Sequence, residues 1–187
     1  MKIVGICGSP RVGGNTEALT RIALEEANKE GLDTEFISLV GKKIEPCDAC
    51  RTCRTTGRCH IEDDFDVIYQ KMVESNGFIL ATPVWFGAAT PQITSLISRC
   101  FAHRGEKRPF EDKVGGPIVV ARRAGQNFTY AQLMFFFMIS GMIVPGSTYW
   151  NIAFGRGKGD VAEDEEGIRT VRNFGRKLAW LAKKINE

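Results

Sequence analysis

The chain has 187 residues, of which 43% are hydrophobic and 25% charged, with 25 Lys and Arg against 22 Asp and Glu for a net charge of +3. That length suits one domain able to bury roughly 70% of the surface its unfolded form exposes. The composition excludes a disordered, collagen-like or coiled-coil chain, and so small a net charge gives no reason to expect a nucleic-acid or membrane partner.

Strand-length apolar segments alternate with helix-length amphipathic ones along the sequence. Lys2–Cys7 reads as a strand ending in a Gly turn, and residues 16–29 as a helix with Leu19, Ile22, Ala23 and Ala27 about a turn apart. Residues 34–40 make a second strand, followed by an irregular, cysteine-rich stretch over 41–64. Phe65–Glu74 has Phe65, Ile68, Tyr69 and Met72 on one helical face, residues 77–82 form a third strand, and 94–101 belong to a helix. Val114–Ala121, entered through Gly115-Gly116-Pro117, is a fourth strand, and residues 130–140 an apolar helix. Met142–Gly146 is expected to begin a fifth strand, and 163–185 to form a closing helix. Its Ile168, Val171, Phe174, Leu178 and Leu181 make a packing stripe, and its arginines and lysines a solvated face.

Five β–α units in series imply a parallel sheet covered on both faces, and right-handed crossovers favour the doubly wound order 2-1-3-4-5 over a single domain spanning 1–187. The longest apolar run, Leu133–Val144, is broken by Ser140 and Gly141 and is well short of the ~18–20 residues that span a bilayer. The first seven residues lack the long apolar core and cleavage site of a secretory signal, so a cytoplasmic protein is expected.

Three loops on one sheet edge carry binding chemistry. The first strand is followed by Gly8-Ser9-Pro10-Arg11-Val12-Gly13-Gly14-Asn15-Thr16 and then a helix. A loop feeding a helix N-terminus is an anion site, because free N–H groups and the helix dipole point at it. Gly14-Asn15 stands where a nucleotide triphosphatase needs Lys-Ser or Lys-Thr, and no Gly-x-Gly-x-x-Gly is present. One terminal monophosphate fits better, held by Ser9, Arg11, Gly14, Asn15 and Thr16. The third strand ends in Pro83-Val84-Trp85-Phe86-Gly87, whose aromatic pair and main-chain groups suit a flat heteroaromatic ring. The fourth ends in Arg122-Arg123-Ala124-Gly125, where two cations balance an anionic ring or a phosphate.

Taken together, Gly-Ser-Pro-Arg…Gly-Asn-Thr, Thr-Pro-Val-Trp-Phe-Gly and Arg-Arg-Ala-Gly-Gln resemble, in order and over nearly the whole chain, the flavodoxin-like NAD(P)H-dependent FMN reductase superfamily. The resemblance implies an α/β flavodoxin-like fold with non-covalent FMN. Phosphate contacts then fall on Ser9, Arg11, Asn15 and Thr16, and ring or ribityl contacts on Pro83, Val84, Trp85, Phe86, Gly87, Ala124 and Gly125. The chain departs from the family at Ala124-Gly125, where Gly-Gly is frequent, and at Ser98-Arg99, where Asp-Arg is common.

Four of the six cysteines fall within thirteen residues as Cys-x2-Cys-x2-Cys-x5-Cys, namely Cys47, Cys50, Cys53 and Cys59. Clustered cysteines in a cytosolic chain point to metal or redox chemistry rather than a disulfide frame. Compact runs of this kind hold iron–sulfur clusters, whereas zinc more often takes two separated pairs. The residues leave open a cluster, zinc or thiol redox chemistry, and a ligand-free loop; Arg51, Arg54 and Arg58 would offset cluster charge. Set before Asp63-Asp64-Phe65, the loop is similar to that of the iron–sulfur flavoproteins, which implies a [4Fe–4S] cluster near FMN, often close to a subunit interface. Cys7 and Cys100 read as buried small hydrophobes, and His60 and His103 as ordinary histidines. No nucleophile–histidine–acid arrangement supports hydrolase chemistry.

The expectation is therefore an FMN-dependent oxidoreductase or electron-transfer flavoprotein relaying electrons between the cluster and FMN, with the flavin as the reactive group and no catalytic side chain. Its partners would be a ferredoxin-type carrier or NAD(P)H and a small-molecule electron acceptor. By resemblance it would be a homodimer or homotetramer. The alternatives are an NAD(P)H-dependent FMN or quinone reductase without a cluster, and a flavin-binding redox sensor or scaffold without turnover.

Overall fold

A computed structural model describes residues 1–103 and 108–186. Five parallel strands, β1 (Lys2–Cys7), β2 (Asp33–Ser38), β3 (Gly77–Pro83), β4 (Val114–Ala121) and β5 (Ile152–Phe154), form one sheet in the order β2-β1-β3-β4-β5. The connections hold α1 (Asn15–Lys29), α2 (Thr52–Thr56), α3 (Phe65–Glu74), α4 (Pro91–His103), α5 (Gln126–Ile139) and α6 (Glu165–Asn186), the last preceded by a short 3-10 turn at Asp160–Glu163. This is the doubly wound flavodoxin-like arrangement expected from the alternation of segments.

Both faces of the sheet are dry, and the period-2 geometry of the strands divides their side chains between two cores. Val4, Ile6, Phe78, Leu80 and Val119 pack with α3, α4 and α5. Ile3, Ile79, Ala81, Ile118 and Val120 pack with α1 and α6. Cys7 and Cys100 are buried, as expected. Among the described residues no helix is long and apolar enough to cross a membrane.

The fifth strand lies elsewhere than expected. Of Met142–Gly146 only Ile143 pairs, in a single parallel bridge to Val114, and β5 itself is the three residues 152–154 beside Val119–Ala121. The cause is in β4. Gly115 donates to Ile143 O at 3.1 Å and Val119 to Asn151 O at 2.9 Å, so the residue midway between them faces the same side. That residue is Pro117, which has no N–H to give. The chain leaves the sheet there and rejoins it at Asn151. The excursion is tied to α6 by Ser147 Oγ donating to Thr170 O (2.7 Å) and Asn173 Nδ2 to Ser147 Oγ (3.1 Å). Asn151 Nδ2 donates to the Pro117 carbonyl at 3.2 Å.

Where α1 meets α6, a Cβ at Gly175 would lie 2.3 Å from the Ala23 carbonyl oxygen. Helix propensity alone favours Gly→Ala by about 1 kcal/mol. Overpacking against a backbone atom opposes it by up to ~3 kcal/mol. Gly175→Ala is therefore expected to lower Tm by about 4–8 °C in a thermal melt, where propensity alone would raise it.

Candidate functional site

Parallel strands deliver every post-strand loop to the same sheet edge, and there the β1, β3, β4 and β5 loops build one cleft. Its lining includes Ser9, Arg11, Gly14, Asn15, Thr16, Pro83, Val84, Trp85 and Arg122, around a cavity of about 150 Å³. The N-terminus of α1 opens into it. Gly14 stands at the N-cap and supplies no side-chain cap, leaving first-turn N–H groups for a ligand. Four cations, Arg11, Arg122, Arg156 and Lys158, line the cleft, and no carboxylate does among the described residues. An anion is what such a lining holds.

Two seams fix the loops. Thr90 Oγ1 donates to Gly8 O at 2.8 Å while Thr90 N donates to Thr82 Oγ1 at 3.1 Å, locking the β3 loop to the β1 loop. No side chain fits at Gly8, whose Cβ would fall 2.1 Å from Ile93. On the other side, Ala89 N donates to Gln132 Oε1 of α5 at 2.9 Å. Gly125 (φ +88°) lies so close to the β3 loop that a Cβ would meet Val84 at 2.9 Å and the Gly87 Cα at 3.1 Å.

Trp85 and Ala88 close a tight turn, Trp85 N to Ala88 O at 2.9 Å, over Phe86 (φ +50°) and Gly87 (φ +78°). Positive φ at both central positions suits Asn-Gly, so Phe86 occupies a strained place, with its ring fully in solvent. Of the expected ring contacts, Pro83, Val84 and Trp85 line the cleft, whereas Phe86, Gly87, Ala124 and Gly125 do not.

Asn15 has a different position from a simple phosphate donor. Its Nδ2 donates to Gly157 O (2.7 Å), and its Oδ1 accepts from Gly159 N (2.8 Å), so the side chain pins the 155–159 loop over the start of α1. That loop brings Arg156 and Lys158 to the cleft. Sequence reasoning misses both, because a fifth strand placed ten residues too early hides Gly155-Arg156-Gly157-Lys158 as a post-strand loop.

The four loop cysteines converge on a second cavity, of about 160 Å³, beside the C-terminal part of α4, lined by Cys47, Cys50, Cys53, Cys59, Arg51, Arg54, His60 and Arg99. Burial, and then the neighbouring sulfurs of Cys59, Cys47 and Cys50, push the Cys53 thiol up. The backbone here is strained: Ala49 (φ +61°) and Arg51 (φ +64°) are left-handed without being glycine, and Gly57 (φ +74°) ends the one-turn α2. Four cysteines lining one cavity are a donor set for iron–sulfur chemistry, whereas among the described residues no three of their sulfurs lie within 4.8 Å of one another, the spacing a single zinc ion would need. His60 Nε2 is 2.7 Å from Asp48 Oδ2, and both lie near Cys50 on the exposed side.

The neck of this loop is held by a buried ion pair that the sequence does not announce. Arg99 of α4 reaches Asp63 Oδ2 at 2.5 Å, with side chains 1% and 0% exposed, and donates to Ile61 O at 3.1 Å. Asp63 in turn accepts from Glu45 N (2.8 Å) and Phe65 N (3.0 Å), so both strands of the neck meet on one carboxylate. The guanidinium stacks 4.1 Å over the Phe65 ring and lines the same cavity as Cys59. Removing either member strands a buried charge, which costs about 3–5 kcal/mol.

The profile of the NADPH-dependent FMN reductase family matches residues 1–157. An iron–sulfur flavoprotein of Methanocaldococcus jannaschii is 41% identical over 196 residues, covering 100% of both chains. Another, from Methanosarcina thermophila, is 37% identical over 190 residues, covering 100% of this chain and 98% of its own. In fold the chain is similar to RosB, solved with 8-demethyl-8-formylriboflavin-5′-phosphate, at a TM-score of 0.79 and 18% identity over 100% of this chain and 80% of that one. The chain belongs to the NADPH-dependent FMN reductase family, in its iron–sulfur flavoprotein branch, and is a flavin-dependent oxidoreductase.

Burial divides the thiols. Burial pushes Cys7 up to about 11 and Cys100 higher still, while Cys50 is exposed and Cys47, Cys53 and Cys59 are half-buried. Thiolate is the reactive form. Brief alkylation of the metal-free folded protein at pH 8 is therefore expected to modify Cys47, Cys50, Cys53 and Cys59, Cys50 fastest, and to spare Cys7 and Cys100. Peptide mass spectrometry checks this; early labelling of Cys7 would contradict the packing of β1.

Proposed function

We propose that this protein is a cytoplasmic electron-transfer flavoprotein that holds FMN in the cleft between the β1, β3, β4 and β5 loops and a [4Fe–4S] cluster on Cys47, Cys50, Cys53 and Cys59. The observation that carries this reading is the convergence of four thiols on one cavity in a chain with a complete flavin fold. Six free cysteines fit a reducing compartment. Residues 1–187 are taken as one FMN-binding domain with the cysteine loop at 41–64 as its insert.

When bound, FMN supplies one- and two-electron chemistry and the cluster one-electron chemistry; the protein supplies placement and electrostatics. The α1 N-terminus, Ser9, Thr16 and Arg11 bind the phosphate, with Arg122, Arg156 and Lys158 adding charge. Asn15 orients that loop rather than giving its amide to the ligand. Pro83, Val84, Trp85, Phe86 and Gly87 on one side, and Ala124 and Gly125 on the other, flank the ring. No side chain is required as a covalent catalyst.

The donor is a ferredoxin-type carrier or NAD(P)H, and the acceptor a small molecule. A homodimer or homotetramer is supported by α5, which is apolar on its packed face and exposes Phe128, Phe135 and Met138 on the other.

Anaerobic purification with flavin, iron, sulfide and zinc quantified on one sample tests the cofactor assignment. FMN with about four irons per chain is expected. FMN without iron favours an NAD(P)H-linked FMN or quinone reductase, and bound flavin with no turnover for any donor favours a sensor. Neither cofactor after FMN is added back overturns the cleft assignment.

Charge-assisted hydrogen bonds to phosphate are worth ~1.5–3 kcal/mol each. Arg11→Gln is therefore expected to weaken FMN binding about tenfold or more, with a shallower salt dependence, by fluorescence titration. Asn15→Ala is expected to weaken it as well, through release of the 155–159 loop, which hydrogen exchange reads directly. Phe135→Glu is expected to shift the species seen by light scattering toward the monomer.

A further inference from the structure

Arg99 does more than hold the neck of the cysteine loop. It is among the largest fully buried side chains of the protein, and it lines the cysteine cavity together with Cys47, Cys50, Cys53 and Cys59. Its NH1 and NH2 groups are engaged by Asp63 and Ile61. Its Nε is buried and, among the described residues, has no hydrogen-bond partner. A buried donor left unpaired is costly, and this one belongs to a cation that cannot lose its proton. A charged, planar, desolvated group on the wall of the cysteine cavity, its Nε–H unpaired, is half of an interaction whose other half is negative.

We propose that Arg99 is a positioning residue that sets the reduction potential of the group held by the four cysteines, by holding its guanidinium on the wall of the cavity they line, with Asp63 fixing its place and partly neutralising its charge. The inference rests on the cluster assignment above. Reduction adds one electron and one negative charge to the cysteine-held group, with no bond made or broken. A neighbouring cation, or an N–H directed at a ligand sulfur, stabilises the more negative state and raises the potential. Asp63 opposes this. The pair therefore makes two changes act in opposite directions, which a mechanical clamp does not.

The test compares the wild-type protein with Arg99→Lys and Asp63→Asn, each purified anaerobically with its FMN. Iron and sulfide are quantified, and the chains are titrated with dithionite and mediators while the reduced cluster is followed by electron paramagnetic resonance. Lysine keeps a charge for Asp63 but removes the planar fork. At a fixed potential Arg99→Lys is expected to lower the reduced-to-oxidised ratio of the cluster by about tenfold, or 59 mV for a one-electron couple. Asp63→Asn is expected to raise it. The flavin potential stays at the wild-type value in both.

Unchanged or same-sign shifts in clusters that retain their iron overturn the proposal. So does loss of iron in proportion to loosened structure with a wild-type potential in what remains, which would make Arg99 a clamp only. Absence of iron from the wild-type protein overturns the cluster assignment and this inference together. Should both variants fail to fold, an Arg51→Lys/Arg54→Lys protein carrying 15N-arginine decides: a 15N coupling to the reduced cluster in pulsed spectra, retained without those two cavity arginines, is expected, and its absence sinks the idea.

Discussion

A sheet of parallel strands cannot be closed by hairpins, and the rest of this molecule follows from that constraint. Each strand must be returned to its starting edge by a crossover, so every strand ends at the same edge and the long crossover helices lie on the faces. Both faces of the central strands are consequently buried, which explains why β1, β3 and β4 read as near-continuous apolar runs. Loops of unrelated sequence meet at the strand ends with no local pairing among them. Gly8, Thr82 and Thr90 supply the seam that turns this meeting into a fixed cleft.

The two candidate sites are held by the same device used twice. In each, one polar side chain on a helix reaches a loop far away in sequence and satisfies main-chain groups there. Asn15 at the start of α1 bonds residues 157 and 159, and Arg99 near the end of α4 bonds Ile61 and Asp63. The device differs in burial. Asn15 works at a partly open rim, where the net value of a neutral hydrogen bond is about 1 kcal/mol. Arg99 is wholly enclosed, so its pairing is obligatory and the cysteine loop cannot swing away without exposing a charge to an apolar surround. The cleft at the strand ends is thus the more yielding of the two, and the cysteine cavity the more rigidly anchored at its neck.

How much of this is legible in the sequence depends on the range of the interaction. Topology is readable because it lies in local periodicity: β1, β3 and β4 begin and end within a residue of expectation. The loops after β1, β3 and β4 are readable as loop chemistry because contiguous residues carry it, whereas the 155–158 loop of the same cleft is hidden with its strand. The fifth strand is not. Met142–Val144 is more apolar than Ile152–Phe154 and has the stronger strand pattern, yet the choice between them turns on a missing N–H in a neighbouring strand, at Pro117. Arg99 stands out in the sequence only by lacking an acidic neighbour at position 98, whereas its partner, Asp63, lies 36 positions earlier in the chain. Asn15 looks like a ligand donor because the residues that claim its amide, 142 and 144 positions further along, leave no local hint.

The split fifth strand also governs what the sheet can do to its neighbours. A long flat border strand offers unpaired N–H and C=O groups as a template on which another chain can polymerise. Here one border is three residues long and interrupted before Asn151, and the other, β2, carries Asp33 and Glu35, the latter engaged by Lys2 and Lys71. Neither border invites strand-by-strand growth. Open-ended growth by strand addition at either border is accordingly disfavoured, which leaves closed contact between copies as the geometry the sheet does not oppose.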